Sequence, residues 1–235
     1  MSLIRNLLFF PDIYTVSAKT EAVTRMVQIV QTTAIPLMVM PALMVYFFWG
    51  EVPTRWLMVW LAVAITIQIV SLLFTRAYFM RFEMFGSTDF SWVSRWARRI
   101  SWVFGAQGTL WGGTTMLILV VDSTAHQILV LVVAMAYPFA LLFGSSFWPA
   151  LQYSLMLPMC GLTIVALILK GDSGSLGLAA IWVVVLLILH SMARLAYRST
   201  MSGIQLQFDK DDLVERLRVQ TDLAEHDLAP EKRIS

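Results

Sequence analysis

Cysteine, histidine and charge are all scarce in this chain. Cys160 is the one cysteine among 235 residues, so no disulfide can form within the chain. The three histidines, His126, His190 and His226, are not spaced four apart, and no Cys or Glu joins them in a ligand pattern. No metal site and no cofactor is therefore expected. Charged residues make up 14% of the chain, against about 25% in ordinary soluble domains. The net charge is only +2, which excludes the strongly basic surface that nucleic acid requires. No GxSxG elbow, phosphate-binding loop or dinucleotide fingerprint occurs, so no catalytic residue is assigned.

What is abundant is apolar surface. Hydrophobic residues reach 58%, more than a water-soluble core can use, and the surrounding solvent is read as lipid. A membrane span needs about 20 mostly apolar residues to cross a hydrocarbon core of ~30 Å. Stretches of that kind lie at 27–49, 56–75, 101–121, 127–146, 150–169 and 175–193. Lys and Arg alternate between the connecting segments. Arg5, Lys19 and Arg25, then Arg76, Arg81, Arg95, Arg98 and Arg99, then Arg194 and Arg198 fall on one side, against Arg55 and Lys170 on the other. Such an excess marks the cytoplasmic side, so both termini are expected in the cytoplasm.

Inside the spans, polar residues are the default functional candidates. Gln68, Gln107, His126 and His190 are the candidate ligand or signal-sensing residues. A plainer reading stands beside each: glue between helices for the two glutamines, a solvated loop residue for His126, and an interfacial residue for His190. Gly105, Gly108 and Gly112 in the third span allow close backbone approach between helices, read first as packing within one bundle and second as a dimer contact. Pro36 and Pro41 are expected to kink the first span. Trp92, Trp96 and Trp102 are read as anchors at headgroup depth. No acidic residue lies within a span to carry protons or cations, which weighs against a small-molecule transporter. An intramembrane enzyme would need a catalytic constellation, and none is found.

Beyond Ala193 the pattern changes to a charged helix reaching about Leu228. Leu206, Leu213 and Leu217 form an apolar seam at a/d-like spacing, flanked by Lys210, Glu215, Arg216 and Arg218. A lone helix of this length is marginal in water, so the seam is expected to pair two copies of the chain. The expected fold is an all-α polytopic membrane protein of about six transmembrane helices followed by a cytoplasmic signalling or coiled-coil helix. Its parts are an N-terminal cytoplasmic segment (1–26), a six-span membrane domain (27–193), the dimerising helix (194–229) and a linker stub (230–235).

Several phrases carry a resemblance. They are Phe48-Trp49-Gly50-Glu51-Val52-Pro53, Trp96-Ala97-Arg98-Arg99, Leu110-Trp111-Gly112-Gly113, a span opening at His126-Gln127, and Arg194-Leu195-Ala196-Tyr197-Arg198. Leu206–Leu217 matches a signalling-helix phrase of the form Leu-Arg-Phe-Glu-Asn-x-x-Leu-Val-x-x-Leu, with Gln207, Asp209 and Lys210 as departures. Together they resemble the multi-span N-terminal sensor regions of bacterial membrane histidine kinases, often hybrid, and of related diguanylate cyclases. The resemblance implies a bacterial inner-membrane, homodimeric sensory input module coupled to a cytoplasmic kinase or cyclase output domain. No such output domain lies within these residues, so the chain itself is expected to be non-enzymatic. With external loops too short for a binding domain, a hydrophobic small-molecule signal would be met among the spans.

Overall fold

Where water is excluded, each backbone N–H and C=O must find its partner inside the segment, and long apolar runs close into helices. The computed structural model describes residues 15–85, 90–145 and 147–228. Among these residues it is all-α: α1 (Val16–Phe47), α2 (Thr54–Phe85), α3 (Phe90–Thr114), α4 (Thr124–Ser145), α5 (Pro149–Lys170) and α6 (Ser173–Leu228). A 3₁₀ segment, Thr115–Leu119, prolongs α3. The stub at 230–235 and the first part of the N-terminal segment lie outside the described residues, as does the side chain of His226. Within them no break falls at residues 26 or 193. α1 runs through the first of these boundaries and α6 through the second.

Among the described residues three helices are long and apolar enough to cross a membrane: Thr54–Phe82 within α2, Pro149–Lys170, and Ser173–Thr221 within α6. α1 qualifies when its two halves, Val16–Thr33 and Met38–Phe47, count as one bent span. The bend of 40° falls on the interval holding Pro36, which has no N–H to give to the preceding turn. In α4 the apolar stretch Thr124–Phe139 is shorter. α3 falls below the same measure because Arg95, Arg98 and Arg99 occupy its first half and Gln107 and four glycines its second. Of the six α-helices among the described residues, three pass on length and composition and a fourth passes if bent, which is fewer than the six spans expected from the sequence.

The helices alternate in direction, which gathers the connections at two ends. At one end lie the start of α1, the facing ends of α2 and α3, Phe147 between α4 and α5, and the middle of α6. Phe147 there packs on Ala18, Ala22, Tyr197, Met201 and Ile204. Lys19, Arg25, Arg76, Arg81, Arg95, Arg98, Arg99, Arg194 and Arg198 fall at or near this arginine-rich end. The other end holds the α1–α2 turn, the 3₁₀ segment and the α5–α6 turn, with Arg55 and Lys170. Its two tight reversals use glycine at positive φ, Gly50 at 95° and Gly171 at 75°, which side chains with a Cβ rarely adopt. Gly171 caps α5, its N–H donating to the Leu167 carbonyl. Asp172 then opens α6. Its Oδ1 accepts from the Ser175 N–H at 2.8 Å and its Oδ2 from the Ser175 hydroxyl at 2.7 Å, an N-cap arrangement. The Ser175 hydroxyl, then its N–H, and then Lys170 hold the Asp172 carboxyl below its ordinary value.

α5 is the central helix. Of its most apolar window 56% is buried inside the chain, against 22% for α2 and 28% for α6. Leu155, Met159 and Cys160 have no exposed surface at all. α2 and α6 by contrast turn Leu73, Leu187 and Leu195 outward at 61%, 61% and 70% exposure. Single exposed apolar residues are ordinary, but a belt of them around a bundle is a surface made for an apolar surround. On α6 the inward side chains are Ser175, Ala179, Trp182, Val185, Leu189, Ala193, Tyr197, Met201 and Ile204. Their spacing of three and four is one helical face, and it runs unbroken across Ala193.

Candidate functional site

Two of the four polar candidates meet. Gln107 on α3 is buried, and its amide nitrogen donates to the hydroxyl of Tyr137 on α4. Gln68 on α2 is equally buried and lies within hydrogen-bonding reach of the same hydroxyl, as does Trp111. The Trp111 ring lies 5.0 Å from that of Tyr137 and meets Trp60 edge to face at 5.5 Å. The result is a polar node joining three helices inside an apolar bundle. It offers amide, phenol and indole groups and no carboxylate or ammonium. An unsatisfied buried amide costs about 1–3 kcal/mol, so the node fixes how α2, α3 and α4 rotate against one another.

The two histidines stand apart from that node and from each other. His126, at the start of α4, lies 3.0 Å through Nε2 from the Phe47 carbonyl. A carbonyl only accepts, so Nε2 carries the hydrogen, and Nδ1 is left 3.7 Å from Glu51 Oε1. The ring also packs on Phe48 at 5.3 Å. It therefore ties α4 to the α1–α2 turn rather than standing in a solvated loop. Beside it, Lys170 donates to Gln127 Oε1 at 2.6 Å. His190 lies on α6 with Nδ1 3.0 Å from the Tyr153 hydroxyl on α5.

The glycine face of α3 meets α5 of the same chain, and these two helices form the most intimate pair in the molecule. A Cβ on Gly108 would collide with the Leu155 carbonyl and lie 2.9 Å from that residue's Cα. One on Gly112 would lie 2.8 Å from Met159 Cα and 2.9 Å from the Pro158 carbonyl. Gly105 is looser, its nearest neighbour being the Ser154 carbonyl at 3.6 Å. The leucine seam is exposed, with Leu206 at 70%, Leu213 at 58% and Leu217 at 55%. Every residue from Leu206 to Thr221 is exposed in the single chain.

Three features escaped the sequence reading. One is a clasp at the arginine-rich end, where Ala18 and Ala22 of α1 pack on Tyr197, Met201 and Ile204 of α6. Thr15 donates to Gln205 at 3.1 Å, and Arg25 donates to Gln207 at 3.3 Å. A signal for it existed: Ala18, Ala22, Met26 and Val30 recur every four residues, an apolar helical stripe. A second is an aromatic cluster in which Tyr78 stacks on Trp92 at 5.3 Å and on Phe82 at 5.7 Å, with Trp96 edge-on at 6.2 Å. Trp92 and Trp96 thus turn inward, while Trp102 is 76% exposed. The third is a crevice of about 360 Å³ between α1, α2 and α3 at the arginine-poor end.

Among the described residues no group of three or more His, Cys, Asp or Glu could hold a metal ion, and Cys160 is buried as a free thiol. No family model, no curated protein and no solved structure matches this chain.

Proposed function

We propose that the chain is a membrane-embedded sensory input and dimerisation module of a bacterial signal-transduction protein, with a histidine kinase or diguanylate cyclase as its output. The six helices form a six-span bundle in the inner membrane, with the arginine-rich end and both termini on the cytoplasmic side. α6 carries the message. A membrane or lipid-soluble signal shifts the bundle, and α6 delivers that shift to two paired copies through Leu206, Leu213 and Leu217.

The observation that supports this reading is the continuity of α6. It runs 56 residues from Ser173 to Leu228, ~84 Å at 1.5 Å per residue. Its buried face ends at Ile204, and an exposed apolar seam starts at Leu206. A rod anchored along one half and bare along the other suits the passing of rotation or translation. Gly203 is the weak point in it, since a helical Gly costs about 1 kcal/mol relative to Ala.

The test is helical phase. With the chain fused to a matching kinase or cyclase domain, two residues inserted at Gly203 turn the seam about half a turn relative to the bundle. Output is expected to lock high or low while membrane insertion stays normal. In the unaltered chain, cysteine at Leu213 should crosslink two copies more readily than cysteine at Glu215. Unchanged output together with equal crosslinking would reduce the module to an anchor.

A further inference from the structure

We propose that the crevice between α1, α2 and α3 is a binding site for an uncharged, lipid-soluble aromatic compound of about two fused rings. The proposal deepens the sensory reading by giving it a ligand site, and rests on that reading for its purpose but not for the binding itself. The crevice measures about 360 Å³. That is more than twice the ~150 Å³ of an apolar cavity able to hold benzene, and it falls within the range of small-molecule pockets. No charged side chain lines it, and Thr114 already donates its hydroxyl to the Leu110 carbonyl at 3.0 Å. Arg55 stands outside, its guanidinium 5.8 Å over the Trp56 ring at the mouth, so a charged group would find no partner in the interior of the crevice.

Gly113 is the telling residue. Its neighbour Gly112 is small because α5 leaves no room for a methyl group, yet a Cβ on Gly113 would meet nothing within 4 Å. A side chain at 113 would therefore enter open space, and of the glycines with such room Gly113 is the one that lines the crevice. The walls explain why the occupant is a ring rather than a lipid chain. Trp56 and Trp60 supply aromatic surface, with the buried Phe48 behind them. An acyl chain gains little on moving from lipid to a lipid-facing crevice, since lipid tails are as apolar as leucine. A flat ring gains ring–ring contacts that the tails cannot offer. Trp56 is 60% exposed and Phe48 only 1%, so the crevice runs from an outer lip to a buried floor. That floor is held in place by the His126 bond to the neighbouring Phe47 carbonyl.

The test is equilibrium dialysis of naphthalene and of decane, which share a carbon count, against the full chain in phosphatidylcholine nanodiscs. Empty nanodiscs give the partition background. Naphthalene is expected to bind saturably at one per chain, and decane to match the background. Gly113→Leu fills the crevice and should raise the half-saturating naphthalene concentration by about tenfold or more, which corresponds to 1.4 kcal/mol. Gly113→Ala adds one methyl and should weaken binding less. Gly177→Leu, at another open glycine that does not line the crevice, should bind as the unaltered chain does. The proposal is overturned if naphthalene shows no saturable component, if decane binds equally well, or if Gly113→Leu and Gly113→Ala both leave binding unchanged. Saturable binding beside a fused output that ignores naphthalene would support the site and count against the sensory reading alone.

Discussion

Glycines on the two helices of the α3–α5 pair differ in role, and the difference can be measured. Gly108 sits where any Cβ strikes the backbone of α5. Backbone cannot step aside as a flexible side chain can, so Gly108→Ala is expected to destabilise the bundle by about 1–3 kcal/mol, the usual cost of overpacking. Gly161 in α5 has nothing within 4 Å of its Cβ position. There the helix preference of alanine acts alone, and Gly161→Ala is expected to be neutral or stabilising by up to about 1 kcal/mol. Denaturant unfolding of the solubilised chain, followed by its helical signal, compares the two variants. Equal effects would mean that the α3–α5 contact is slacker than its geometry. The small-residue spacing of Gly108 and Gly112 was visible in the sequence, but its partner was not. The pattern names a contact surface and leaves open which helix fills it. Gln68 and Gln107 were visible for the same reason, as polar residues out of place. Tyr137 was not, because nothing in its local sequence separates it from the other aromatics of an apolar helix.

Among the helices, α1 and α6 depart furthest from a simple count of apolar stretches. The sequence reading began the first span at 27, because Lys19, Glu21 and Arg25 interrupt the hydropathy of the preceding turns. The helix begins at Val16 all the same. Those charges share turns with the stripe of Ala18, Ala22 and Met26, and a window average cancels one against the other. Glu21 and Arg25 even pair along the helix at 2.7 Å, an i,i+4 contact that supports helix rather than loop. In the clasp that results, Met201 and Ile204 on either side of Gly203 are buried against α1, while Gly203 itself stays exposed. The weakest point of α6 is thus braced from outside. Met201→Ala should loosen the brace, since truncating a fully buried Met costs about 2–5 kcal/mol. Amide hydrogen exchange across 194–207 is expected to rise by about tenfold or more, while exchange in α5 stays as it was. Equal rises in both helices would make the clasp part of the general core. The crevice lay beyond any reading of one strand of text, because it is defined by what residues of three helices fail to fill.

For the whole molecule, the distribution of charge makes the sharpest claim. The two ends differ in arginine content, and positive charge is retained on the cytoplasmic side. Reporter fusions at Pro53 and Asp172 are expected to read as external, and fusions after Ser202 as cytoplasmic. Cytoplasmic readings at Pro53 and Asp172 would invert the arrangement. The inward face of α6 has one more implication. At 100° per residue, Leu213 stands about 180° around the helix from Ile204, the last residue of that face. Were a second copy to join along the leucine seam as proposed, it would approach from the side of α6 that looks away from its own bundle. α6 itself packs chiefly on α5, α1 and α4, which leaves α2 and α3 on the far flank. The pair would be shaped like a stem with two outspread wings, each wing keeping its crevice open to the surrounding lipid.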